Sequence, residues 1–84
     1  MHIVEYLDAD GRSPFGAWFK ALEAMAAARV TVALARAAEG NLSNAKGVGT
    51  GVSELRIDFG PGYRICFEHV GATLIILLAG GSGA

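Results

Sequence analysis

Two arginines in the second half of the sequence are the side chains best placed for chemistry. Arg56 and Arg64 each lie on the polar side of a segment in which apolar and polar residues alternate. Pairing the two segments through their apolar sides puts both arginines on one face. A guanidinium group presents a planar fork of N–H donors to an anion. The pattern leaves two interpretations open, an ion pair with a facing acid such as Asp58 or contact with an anionic ligand.

Other reactive residues form no catalytic or metal-binding pattern in the sequence. His2 and His69 are far apart and no cluster of acids or cysteines accompanies them, so we expect no metal. Cys66 has no nearby base, which favours a tolerated small residue over a nucleophile. The glycine-rich segment 47–51 follows a predicted helix, whereas phosphate-binding glycine loops follow a strand and open a helix.

Composition predicts one small domain spanning residues 1–84. Hydrophobic residues make up 52% of the 84-residue chain and charged residues 18%, which excludes a disordered tail and two separate domains. The net charge of −1 provides no overall basic field, so contact with nucleic acid must depend on a local cluster. The acidic N-terminus, the single cysteine and the shortness of the apolar runs predict a cytoplasmic protein without a membrane span.

The first half of the chain predicts a strand followed by helices. Residues 3–7 are apolar-rich and precede turn-forming residues, which indicates an opening strand. Ser13 and Pro14 are a helix-start signal, because Ser caps free N–H groups and Pro suits the first helical position. Apolar residues then recur at helical spacing on one predicted core-facing side: Phe15, Trp18, Phe19, Leu22 and Met25.

The alanine-rich stretch 21–38 favours further helix. One long helix and a hairpin of two helices both fit it, and a second apolar face favours the hairpin. Gly40 is predicted to end the helix, since Gly readily adopts the left-handed conformation of a helix C-terminus. Residues 41–51 are predicted to form a loop from their composition.

The second half predicts three strands. A turn at 60–62 joins the first two, and a three-residue loop aligns their apolar sides by setting Phe59 opposite Tyr63 and Asp58 opposite Arg64. The same register brings Glu54 and Glu68 together. Residues 74–79 are apolar on both faces and predict an interior strand covered on each side, with a partner or an oligomer completing the cover.

An ordered series of motifs along nearly the whole chain resembles one known family. The motifs are Ser13-Pro14-Phe15 with Trp18-Phe19, Gly40-Asn41, the segment 48–57, Gly60-Pro61-Gly62-Tyr63-Arg64, and the segment 74–78 followed by Gly80-Gly81. No single motif is sufficient, but their order is specific. The chain is similar to the HigB-like addiction module killer branch of the RelE/ParE superfamily of bacterial type II toxins.

The predicted elements give an α+β protein of order β-α-α-β-β-β, with the helices packed on one face of a mainly antiparallel sheet. The resemblance implies that this is the RelE-like microbial RNase fold and that the protein is a ribosome-dependent mRNA endoribonuclease. In such toxins the ribose 2′-hydroxyl attacks its own phosphate, which requires cations and a proton-transferring group but no metal or other cofactor. The implied partners are a neutralising helix-turn-helix antitoxin, the ribosome and mRNA.

The resemblance also implies roles for individual residues. Arg64 matches the phosphate-stabilising arginine of the family's Gly-Tyr-Arg motif, and Arg56 stands where relatives often carry a basic residue on the neighbouring strand. Both are expected to be catalytic and to bind RNA, and Lys46 is expected to contact the RNA strand. Cys66 stands where many relatives have Tyr, and Ser82-Gly83-Ala84 stands in place of a longer C-terminal segment. These departures leave open an impaired toxin that only binds its antitoxin. A ParE-like gyrase inhibitor is a further alternative, which shares the implied fold but fits the quoted motifs less well.

Overall fold

Two helices pack on one face of a five-stranded mixed sheet, and the predicted α+β class is confirmed. The computed structural model describes residues 1–81. The sheet order is β1-β5-β4-β3-β2, with β1 parallel to β5 and the other neighbours antiparallel. The elements are β1 His2–Glu5, α1 Pro14–Lys20, α2 Ala24–Ala38, β2 Ala45–Gly49, β3 Val52–Ile57, β4 Tyr63–Val70 and β5 Thr73–Gly81.

The helix boundaries follow the predicted caps. The Ser13 hydroxyl accepts a hydrogen bond from the Gly16 N–H at 2.8 Å and opens α1. Gly40 follows the end of α2 with φ +91°, and its N–H donates to the Ala37 carbonyl. Because α1 ends at Lys20 and α2 begins at Ala24, the interpretation with two helices is correct and the single long helix is wrong. None of the described helices is both long and apolar enough to cross a membrane.

The core lies between the helices and one face of the sheet. Its buried residues come from both helices and from β3, β4 and β5: Phe15, Val30, Ala37, Leu55, Ile57, Ile65, Phe67, Leu74 and Ile76. Met25 was predicted to join this core but is 63% exposed. It lies in the first turn of α2, after the break in the helix, and so does not continue the apolar face of α1.

Residues 41–51 were predicted to form a loop, and this is wrong for β2. Lys46 pairs with Glu54 and Gly47 with Ser53, so β2 is an edge strand of the sheet. The pairing shifts register between Gly47 and Gly49. Backbone hydrogen bonding to β3 therefore outweighs the low strand propensity of a glycine-rich segment.

The predicted register of β3 and β4 has the correct parity but is displaced by two residues. Tyr63 pairs with Ile57 rather than Phe59, and Arg64 pairs with Arg56 rather than Asp58. The loop is therefore residues 58–62 rather than 60–62, and within it the N–H of Gly62 donates to the Phe59 carbonyl at 2.9 Å and closes a turn over residues 59–62.

The predicted interior strand is β5, which lies between β1 and β4. Leu74 and Ile76 are buried beneath the helices, as predicted. The opposite face of the sheet, called here the outer face, is not covered by residues 1–81, because Leu78 is 56% exposed and Val4 is 45% exposed. Cover on this face by a partner or an oligomer stays a prediction.

Candidate functional site

Arg56 and Arg64 lie directly opposite each other on β3 and β4. The neighbouring pair Leu55 and Ile65 points into the core, so alternation directs both arginines to the outer face. The prediction that they share a face is confirmed. Both side chains are exposed, and two like charges at directly paired positions repel each other.

A carboxylate that the sequence analysis did not select lies between the two arginines. The Glu54 Oε1 atom is 3.4 Å from the Nε atom of Arg56 and 3.7 Å from the Nε atom of Arg64. The Glu54 side chain is 13% exposed, whereas those of Arg56 and Arg64 are 59% and 46% exposed. Glu54 thus offsets the repulsion between the two guanidinium groups, and both groups remain open to solvent.

The guanidinium groups retain donors for a ligand. Their ion pairs among residues 1–81 use the Nε atom of each arginine. A guanidinium has five N–H donors in all, so the exposed side chains of Arg56 and Arg64 keep donors beyond the Nε atoms that contact Glu54. This arrangement suits an anion with several oxygens, such as a phosphodiester.

Lys46 lies on the same outer face of the sheet, on the edge strand β2. It pairs with Glu54 across β2 and β3, while the adjacent pair Ala45 and Leu55 lies on the core side. Three cationic residues on three neighbouring strands therefore share the face that carries Glu54, and two of them, Arg56 and Arg64, contact its carboxylate. We call Lys46, Glu54, Arg56 and Arg64 the charged cluster. The structure brings together all three residues that the sequence analysis selected.

The alternative partners proposed for the charged residues are not observed. Asp58 lies beyond the end of β3, and the carboxylate beside Arg64 is that of Glu54. Glu68 pairs with Val52, so the expected meeting of Glu54 and Glu68 is wrong. Glu54 precedes Arg56 by two positions on one strand, which indicates a shared face. The predicted register placed Asp58, not Glu54, beside Arg64, so the contact between Glu54 and Arg64 was not predicted.

Cys66 also lies in the row of outer-face positions. It pairs with Glu54 on one side and with Leu78 on the other, and it is half-buried. The charged cluster thus borders an apolar region made by Val4, Ile75 and Leu78, which we call the apolar half of the outer face.

The cluster has the parts needed for acid–base chemistry on a phosphate. Three cations can stabilise negative charge on phosphate oxygens, and the carboxylate can accept a proton. No group of three or more His, Cys, Asp or Glu residues within 1–81 could hold a metal ion.

Comparison with known proteins places the chain beside one relative. A protein of Haemophilus influenzae, described only as uncharacterised, is 38% identical over 68 residues, which cover 80% of this chain and 69% of the relative. The chain belongs to the family of that protein. No protein-family model matches the sequence. The relative's description names no activity.

Proposed function

We propose that the protein is a RelE/ParE-type toxin with the RelE-like microbial RNase fold, which inhibits translation by cleaving mRNA on the ribosome. The observation that carries this proposal is the pair of solvent-facing guanidinium groups of Arg56 and Arg64 with the Glu54 carboxylate between them. This arrangement supports the phosphate-binding roles that the motif resemblance implies for both arginines. Cleavage on ribosomes would place the protein in the cytoplasm.

The charged cluster supplies groups for each part of the cleavage step. Arg64 and Arg56 hold the non-bridging oxygens of the scissile phosphate, and Lys46 contacts the adjoining RNA backbone. Glu54 accepts the proton of the ribose 2′-hydroxyl as its oxygen bonds to phosphorus. The bond from phosphorus to the 5′-oxygen breaks, and that oxygen takes a proton from water. The products are a 2′,3′-cyclic phosphate and a 5′-hydroxyl end.

The guanidinium groups stabilise the transition state at the phosphate oxygens, where negative charge develops. The transition state carries additional negative charge on the phosphate oxygens, and donors fixed towards those oxygens stabilise it more than the ground state. Glu54 holds the two arginines side by side through their Nε atoms, which reduces the reorganisation needed when RNA binds.

A helix-turn-helix antitoxin is the proposed protein partner. The apolar half of the outer face supports this, because Val4 and Leu78 are largely exposed on adjacent strands and large exposed apolar side chains in one region mark interaction surfaces. The same observation favours a second candidate function, in which the protein is an impaired toxin that only binds its antitoxin.

Primer extension on mRNA from translating cells separates the two candidates. Induction of the wild-type chain should produce new 5′ ends within translated messages, and Arg64→Ala should remove them. Arg12→Ala is the matched control, because Arg12 lies beside α1 and outside the charged cluster. Circular dichroism should show that both variants fold. Intact transcripts on induction of the wild-type chain would overturn the nuclease proposal and favour the binding module.

A further inference from the structure

The cations of this chain are concentrated in one region despite the net charge of −1. Five of the seven lysines and arginines lie on the charged cluster or beside it: Arg29, Arg36, Lys46, Arg56 and Arg64. The other two, Arg12 and Lys20, line a separate cavity next to α1. The charge is therefore segregated, and the region extends beyond the outer face of the sheet.

A groove on one side of α2 is lined by two arginines, Arg29 and Arg36, to which the proposed function gives no role. Arg29 and Arg36 are seven residues apart, so they lie on the same side of the helix two turns apart. Both line a groove of about 400 Å³ between α2 and the end of β3, together with Arg56 and Asp58. We call this the α2 groove.

Arg29 is held in place within the groove. Its guanidinium carbon lies 5.0 Å from the centre of the Phe59 ring, a cation–π contact. Neither Arg29 nor Arg36 forms an ion pair within residues 1–81. The acid among the groove residues is Asp58, so the cations outnumber it.

The α2 groove continues into the charged cluster around the start of β2. Arg36, Asn44 and Arg56 also line a smaller cavity of about 90 Å³. Asn44 and Arg56 then line a third cavity of about 300 Å³, which includes Lys46. An extended chain could therefore pass from Lys46 and Arg56 over Asn44 to Arg36 and Arg29.

We infer that the α2 groove is a second binding site for the phosphodiester backbone of single-stranded RNA, continuous with the charged cluster. This inference rests on the proposed function. A polyanion held at the charged cluster meets a further pair of arginines if it follows the cavities around β2. Asn41 and Asn44 line that path with side-chain amide groups, whose N–H groups can donate to sugar and phosphate oxygens, and the Ser43 hydroxyl donates to the Asn41 Oδ1 atom at 2.9 Å.

Oligonucleotide length tests the inference. The probes are fluorescent 2′-O-methyl oligonucleotides of roughly twelve and three nucleotides, within and below the usual site sizes for single strands, and they lack the 2′-hydroxyl needed for cleavage. The variant Arg29→Gln/Arg36→Gln should bind the long probe about tenfold more weakly, because two phosphate contacts are lost. Binding of the short probe should be unchanged.

Salt dependence provides a second measurement. Each phosphate contact on a single strand contributes about 0.7 to the slope of log Kobs against log salt concentration, so the double variant should lower that slope by about 1.4. The matched control is Arg12→Gln/Lys20→Gln, which removes the same charge from the cavity beside α1. It should leave the affinity and the slope at wild-type values.

The outcomes separate this inference from the proposed function. Unchanged affinity for the long probe in Arg29→Gln/Arg36→Gln, with weakened binding in Arg64→Ala, would overturn the groove site alone. Equal loss in the control variant would also overturn it, because the effect would then be one of net charge. Displacement of the long probe by poly-glutamate at matched charge would assign the groove to an acidic peptide instead.

Discussion

Replacing Glu54 with Gln should separate RNA binding from RNA cleavage. The substitution keeps the shape of the side chain and removes its negative charge from between Arg56 and Arg64. Gln can still accept a hydrogen bond from each guanidinium, but it cannot serve as the base that removes the 2′-hydroxyl proton. We therefore expect affinity for RNA to rise while cleavage falls.

The expected magnitudes follow from the geometry of the cluster. The Glu54 oxygen lies 3.4 Å and 3.7 Å from two Nε atoms, so a phosphate bound to these groups lies close to the carboxylate. Repulsion between unit charges about 4 Å apart in water is about 1 kcal/mol, and its removal should tighten binding about fivefold. Loss of a general base should slow cleavage by roughly two to four orders of magnitude.

The stability change should be small. The arginines are 59% and 46% exposed, and such pairs contribute about 0.2–1 kcal/mol. A urea titration of Glu54→Gln should show a loss within that range, and high salt should reduce it because solvent screens exposed charges.

Two assays on the same preparation test the prediction. Fluorescence anisotropy with the long 2′-O-methyl probe measures affinity, and single-turnover cleavage of mRNA on ribosomes measures the rate. Cleavage at the wild-type rate would refute the proton-transfer role of Glu54. A parallel loss of affinity and cleavage would show that Glu54 acts only by positioning the arginines. Glu39→Gln is the control, because Glu39 caps α2 and takes no part in the cluster.

Two further predictions concern the fold that supports the site. Ile65→Ala should lower the free energy of unfolding by about 2–5 kcal/mol, since Ile65 is 0% exposed at the centre of the core. Leu78→Ala, at a 56% exposed position, should change the free energy of unfolding by less than about 0.5 kcal/mol. Equal losses in urea titrations of the two variants would contradict the assignment of the two faces. Gly40→Ala should cost about 1–2 kcal/mol because Gly40 has φ +91°, while Gly47→Ala, with open space around its Cβ position, should be nearly neutral; calorimetric melting of both variants tests this.

Local signals in the sequence determined the helix caps and the facing of the strands. Ser13 before Pro14 marks the start of α1, and Gly40 marks the end of α2, because each cap depends on hydrogen bonds or dihedral angles within a few residues. The period-two alternation around Arg56 and Arg64 fixed their shared face, since parity holds for any even displacement of the register.

Tertiary contacts decided what local patterns left open. A two-residue displacement preserves parity, so the alternation could not distinguish Asp58 from Arg56 as the partner of Arg64. The longer turn goes with the observed register, which brings Glu54, already beside Arg56 on β3, to Arg64 as well. The strand β2 likewise depends on backbone bonds to β3 rather than on its own composition. Arg29 and Arg36 lie near the charged cluster only because α2 packs against the sheet. Residues this distant in sequence come together through tertiary packing, which local patterns do not predict.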